Sequence, residues 1–238
     1  MRRFALCIAA GLAVFAAGCR PGHEPGHPPE PDPRPSQVVD FATLYGQNCA
    51  ACHGGNGQNG PAIDLANPEY QALIDDSTLR KWIANGMPGT EMPAFAQSAG
   101  GMLTDAQVDA LVAGMRKQWL VPNAFNGATP PPYAPAAAGT AGDAQRGALT
   151  YGRRCAGCHE KSPQQIASPT YLALAGDQAL RSIIIAGRPD IGQPDWRHDS
   201  PGGTPAAPLS AQDVDAIVTY LGTLRNAAPA TAPAQGGR

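Results

Sequence analysis

The pentapeptide Cys49-Ala50-Ala51-Cys52-His53 returns later in the chain as Cys155-Ala156-Gly157-Cys158-His159. In a C-x-x-C-H run both thiols lie on one turn, placed to add to the two vinyl groups of a haem, and the adjacent imidazole is presented to the iron. Each copy reads as a covalent haem attachment site, so whatever fold this chain adopts must close around a porphyrin twice. A zinc site would want a second pair of ligands near each C-x-x-C, and a dithiol redox motif would want a βαβ pattern around it; the sequence offers neither.

The chain opens on Met1-Arg2-Arg3, a positive region, followed over residues 4–18 by an apolar run too short to span a bilayer. This run ends in Ala16-Ala17-Gly18-Cys19 and resembles a bacterial lipoprotein signal, although leucine is more usual where Ala16 stands. The resemblance implies that residues 1–18 are removed and that Cys19 becomes a lipidated first residue, anchoring the exported protein to a membrane on the periplasmic side. Cysteine usage agrees: of six cysteines, Cys7 leaves with the signal and four take thioether bonds. Cys19 would otherwise be an odd thiol in an oxidising compartment.

Residues 19–36 carry seven prolines, from Pro21 to Pro35, and read as a polyproline spacer. At about 3.1 Å per residue it can hold a domain up to roughly 50 Å from the lipid. His23 and His27 are solvated residues of that spacer. Residues 122–142, with Pro130-Pro131-Pro132 and Ala136-Ala137-Ala138, read as a linker, and residues 227–238 as a disordered Ala/Pro/Gly tail. Two folding units remain, residues 37–121 and 143–226. Units this small bury little core alone, so each should lean on its haem for stability.

The two units repeat one pattern. Tyr45-Gly46 before the first motif matches Tyr151-Gly152 before the second, Pro68 and Tyr70 match Pro169 and Tyr171, and Gly86, Pro88 and Pro93 match Gly187, Pro189 and Pro194. The coarse structure is all-α. A helix over residues 37–48, capped by Ser36, leads into the first motif, and Asn67 or Ser168 caps a short helix with proline at its first position. A third helix over residues 77–85 or 177–186 is terminated by Gly86 or Gly187 in a left-handed cap. Thr104 and Gln107, in capping-box spacing, open the last helix. Its stripe of Val108, Leu111, Val112 and Met115, mirrored by Val214, Ile217, Val218 and Leu221, is core at helical period, which makes Met115 a packing residue.

A haem motif behind a helix, then Gly60-Pro61, then Gly86-Met87-Pro88-Gly89-Thr90-Glu91-Met92-Pro93-Ala94-Phe95, then an amphipathic last helix: this resembles the small all-α cytochrome c domain. The whole is similar to membrane-anchored dihaem c-type cytochromes. The likeness covers residues 38–119 and 143–225. It implies two tandem cytochrome c-like domains with two covalently bound haem c groups, held through Cys49, Cys52, Cys155 and Cys158. His53 and His159 are then the proximal ligands and Met92 the distal ligand of the first haem, with Met87 its competitor. It further implies that a proline carbonyl fixes each proximal tautomer, Pro61 for His53 and Pro163 for His159.

The second unit departs from the pattern. Aligned without a gap, Gln193 stands where Met92 stands, and no methionine follows Met115. Gln193 can bind through its side-chain oxygen, His198 can enter from the longer loop, or the sixth position can stand open or hold water. His198 follows His159 by the same chain distance as Met92 follows His53, whereas the flanking prolines align Gln193. Thioether ligation raises a haem's potential relative to harder ligands, so the first haem should have the higher one.

Without Arg2 and Arg3 the chain holds 15 basic residues against 19 acidic ones. Residues 40–121 net −4, and residues 143–226 balance eight acids with eight bases. No basic block suggests nucleic acid. Arg153 and Arg154 are positioned to ring the edge of the second haem and meet an acidic partner. The expected function is single-electron transfer between respiratory or photosynthetic redox partners. Two alternatives are a cytochrome subunit of a larger oxidoreductase and a peroxidase-like enzyme reacting at the second haem.

Overall fold

The computed structural model describes residues 33–135, 142–161, 165–197 and 207–225, and among these the regular structure is helical, without a strand. Cys19, Pro163, His198, the leader and the tail lie outside the described residues. No described helix is long and apolar enough to cross a membrane.

The first haem unit comprises α1 (Phe41–Asn48), α2 (Ala50–His53), α3 (Pro68–Leu73), α4 (Asp76–Asn85) and α5 (Asp105–Trp119). The second repeats the order with α6 (Ala144–Arg154), α7 (Ala156–His159), α8 (Pro169–Leu172), α9 (Asp177–Ala186) and α10 (Ala211–Arg225).

The helix expected over residues 37–48 begins at Phe41 instead, and Ser36 is not its cap. The Asp40 carboxylate accepts from the Thr43 amide and hydroxyl, both at 2.8 Å, a cap worth roughly 1 kcal/mol. Ahead of it the chain makes a 3-10 turn, Pro35–Gln37, because Gln107 Nε2 on α5 donates to the Pro35 and Val38 carbonyls at 2.9 Å each. The same side chain completes the expected capping box, its Oε1 accepting from the Thr104 amide at 3.0 Å. Ser210 and Asp213 build the equivalent reciprocal box before α10. Asn67 caps α3 through the Glu69 amide at 2.9 Å, whereas Ser168 makes no side-chain cap bond and α8 is correspondingly short.

In each unit the last helix packs on the first. Val108, Leu111 and Met115 of α5 are buried against Leu44 and Tyr45 of α1, and Trp119 meets the Tyr45 and Phe41 rings edge-on at 5.3 and 5.7 Å. Val214, Ile217 and Leu221 of α10 are buried in the second core with Tyr151 of α6. Each such side chain contributes about 1.5–3 kcal/mol of apolar burial.

A pair of arginines repeats with the fold. Near the end of α5, Arg116 donates to the Gln71 carbonyl, to the Ile74 carbonyl at 2.6 Å and to Asp76 at 2.7 Å. At the end of α10, Arg225 donates to the Leu172 and Ala175 carbonyls at 2.8 Å each and pairs with Asp177 at 2.8 Å. Each arginine thus pins the loose end of a short helix to the start of the next.

The described residues from Pro35 onward form one compact unit, with the haem domains packed on each other. Leu73 of the first domain packs on the second core, and Ala186 of the second is buried in the first. The described part of the linker is docked between them: the Tyr133 hydroxyl accepts from Trp82 Nε1 at 2.7 Å, and its carbonyl accepts from Gln178 Nε2 at 2.9 Å and Arg181 Nε at 3.0 Å.

Candidate haem sites

Both motifs have one backbone geometry. The Cys49 amide donates to the Tyr45 carbonyl at 2.8 Å, and its own carbonyl accepts from His53 at 3.0 Å; Cys155, Tyr151 and His159 repeat these distances. The first cysteine closes one helix and opens the next, with φ −118°, ψ −35° at Cys49 and φ −120°, ψ −42° at Cys155. Cys49 faces inward while Cys52 and Cys158 are exposed, and all four thiols are unbridged. Burial, then the neighbouring thiol, pushes Cys49 up to about 12. Burial raises Cys155 to about 11, against the pull of Arg154. These inner thiols are protonated at neutral pH and poor at disulfide exchange, which needs the thiolate.

His53 is buried, and its Nδ1 lies 2.8 Å from the Ile63 carbonyl. A carbonyl only accepts, so Nδ1 carries the proton and Nε2 presents its lone pair, the tautomer that iron requires. The Pro61 carbonyl expected in this role is replaced by that of Ile63, two residues further on. The reason lies in the loop after the motif: the Ala62 amide turns back onto the Cys52 carbonyl at 2.9 Å, and the chain beyond it passes the imidazole. Burial, followed by the Arg188 charge, holds His53 below its ordinary value against the Ile63 bond. Tyr45 braces the loop by donating to the Gly54 carbonyl at 2.8 Å.

The turns carrying Met92 and Gln193 are also alike. The Met87 amide donates to the Met92 carbonyl at 3.1 Å, and the Arg188 amide donates to the Gln193 carbonyl at 3.0 Å. Gly86 and Gly187 end the preceding helices at φ 74° and 72°, with extended ψ of 174° and −177° rather than the expected left-handed cap. That region is essentially open only to glycine, and a Cβ would meet the Met92 or Gln193 carbonyl oxygen at 2.7 or 2.9 Å. Met92 is half-buried against the first core. Gln193 is half-buried, and its Nε2 donates to the Ile183 carbonyl at 3.2 Å, which commits the nitrogen and leaves the oxygen as the end able to meet a metal. Arg154, expected at the haem edge, donates to the Ala207 carbonyl at 2.9 Å, while Arg153 is exposed.

In the second domain the Tyr151 hydroxyl and Trp196 Nε1 are buried with no partner among the described residues. Burial keeps the Tyr151 phenol neutral, pushed up to about 12, so both atoms are donors lacking an acceptor. A haem, which carries two carboxylates, suits such a site. Among the described residues no three His, Cys, Asp or Glu side chains gather as a zinc site would require. The cysteine pairs, the His53 tautomer and these orphaned donors all fit haem, which supplies a one-electron couple while the chain fixes its ligands and surroundings.

A family model described as cytochrome c oxidase, cbb3-type, subunit III matches residues 36–113, and one described as cytochrome c matches residues 144–225. A dihydro-heme d1 dehydrogenase of Pseudomonas aeruginosa is 42% identical over 72 residues, which are 29% of this chain and 13% of that enzyme. No solved structure matches. The paired attachment motifs and the two family matches, one over each repeat, make this chain a c-type cytochrome with two tandem domains, two covalently bound haem c groups and the electron-transfer chemistry of that family.

Proposed function

We propose that this cytochrome is anchored through a lipid on Cys19 at the periplasmic face of a membrane, where it relays single electrons between redox proteins of a respiratory or photosynthetic chain. Cys49 and Cys52 hold the first haem, with His53 and Met92 as its axial ligands. Cys155, Cys158 and His159 hold the second, whose sixth position falls to Gln193 or His198 or stays open. The observation that carries the reading is the equivalence of the two distal turns: the same frame offers a thioether in one domain and an amide in the other. Two haems of unequal potential in one compact unit suit a relay, with the first the better acceptor.

Export of the full chain with haem assembly should give two haems per polypeptide, and Cys155→Ser/Cys158→Ser should give one. Cys19→Ser should move the protein from detergent-soluble membrane to the aqueous fraction. Two haems in Cys155→Ser/Cys158→Ser would overturn the attachment sites, and unchanged fractionation of Cys19→Ser would overturn the anchor. A second reading, reaction of a small molecule at the second haem, is favoured by the missing methionine there. Binding of carbon monoxide at the His159 haem alone would support it.

A further inference from the structure

Arg188 belongs to the second domain, yet its guanidinium reaches across to the first. Its Nη2 donates to the Gly60 carbonyl at 2.9 Å, and it pairs with Asp190 at 2.8 Å. Asp190 in turn accepts from the Asn59 amide at 2.8 Å. The arginine side chain is 7% exposed and the aspartate 0%, so the pair works at low dielectric, where charges are strongly felt. Residues 59 and 60 lie in the loop between His53 and its acceptor Ile63. Beyond it, Asn67 Nδ2 donates to the Ala186 carbonyl at 2.8 Å, fastening the far end of the loop to the second domain as well.

The same arginine closes the turn that carries Gln193. Its amide donates to the Gln193 carbonyl and its carbonyl accepts from the Gln193 amide, both at 3.0 Å. In the first domain this position is Met87, which makes the equivalent backbone bond to Met92. One residue therefore touches the loop behind the first haem histidine and forms the turn at the distal position of the second.

We propose that Arg188 is a positioning residue for the first haem, supplied by the second domain: its guanidinium fixes the loop that orients His53, places a buried positive charge beside it, and couples the first haem's potential to the second haem's distal turn. This rests on His53 being the first haem's ligand, as proposed above. Beside the arginine lie two acids, Asp190 and the buried Asp64, the latter adjacent to Ile63. The guanidinium offsets one of these two carboxylates. Without it, the field at His53 becomes more negative and ferric iron is favoured.

The test is a spectropotentiometric titration of the dihaem protein, resolving the two haems, on Arg188→Met, Arg188→Lys and Asp190→Asn. Arg188→Met should make the His53 haem about tenfold harder to reduce, a fall of about 59 mV. Arg188→Lys should restore part of this, because the charge returns without the planar fork. Asp190→Asn should shift the His53 haem the opposite way, and the hyperfine-shifted proton signals of the His53 ring should move in Arg188→Met. Shifts of one sign in Arg188→Met and Asp190→Asn would mean mere loosening and overturn the proposal, as would an unchanged His53 haem in Arg188→Met. A haem count on the same samples separates this outcome from failure of the attachment sites, which would give fewer than two haems.

Discussion

The two haem domains share helix order, attachment geometry and distal turn, yet they differ at each end of the haem axis. Behind the first haem, a long loop wraps His53 and presents a carbonyl to it, with Tyr45 bracing the loop through Gly54. In the second domain the loop after the motif is shorter, and the tyrosine matching Tyr45 has a buried hydroxyl without a partner among the described residues. On the distal side, methionine is exchanged for glutamine in an otherwise preserved turn. Backbone framework and iron environment are thus independent variables in this fold. The framework is set by capping, helix packing and the paired arginines, so side chains around the metal can change without disturbing it.

The exchange of distal residues should break this comparison most visibly. Met92→Gln gives the first turn the second's side chain and should lower the His53 haem by on the order of 100 mV, within the roughly 0.8 V that axial ligands span. Gln193→Met should raise the His159 haem by a similar amount. Potentiometry that leaves both midpoints in place would mean that the ligands are elsewhere, His198 being the first alternative for the second haem.

The arginines test whether the frames are equivalent. Arg116→Ala and Arg225→Ala each strand two backbone carbonyls and a carboxylate, and each should cost about 1.5–3 kcal/mol. Arg116 should cost more, because its side chain is 13% exposed against 26% for Arg225 and it also donates to Gln71 Oε1 at 2.9 Å. Denaturant unfolding of the dihaem protein, followed at each haem's absorbance, measures both losses. Equal losses would make the frames equivalent despite the difference in burial.

Much of this frame was legible because its signals are local. C-x-x-C-H, a proline after Asn67, the Thr104–Gln107 box and the stripe from Val108 to Met115 are patterns spanning one to three turns, and the structure forms elements at each. The misreadings have longer reach. Ser36 was a plausible cap until Gln107, 71 residues on, claimed the Pro35 and Val38 carbonyls. Ile63 displaced Pro61 because loop curvature, which no residue type announces, decides which carbonyl faces the imidazole. Arg116, Arg188 and Arg225 left no mark on the sequence because, besides one carboxylate each, they reach backbone carbonyls, which are identical at every residue. A linker read from proline content also hid Tyr133, whose ring and carbonyl help to join the domains.

The contact between the domains carries the smallest and most condition-dependent of the expected effects. Arg197, just after the second distal turn, pairs with Asp195 at 2.8 Å and with Glu69 of α3, while also donating to the Phe125 carbonyl at 2.9 Å. Two carboxylates share one guanidinium, and burial followed by Asp195 raises Glu69 from an ordinary 4.5 to about 7, outweighing Arg197. Between those values the folded protein keeps a proton that the unfolded chain has released. The resulting stability is fully present below about 4.5 and lost as pH rises through about 7. Thermal midpoints of the dihaem protein should therefore fall across this window, and Glu69→Gln, which cannot ionise, should flatten the fall by about 2–4 °C, the equivalent of about 1 kcal/mol in a chain this size. Asp195→Asn should flatten it too, by removing the neighbour that helps hold the proton on Glu69. If the slope survives Glu69→Gln, the domains are not joined through a titrating carboxylate, and whatever pH dependence remains belongs within the haem units.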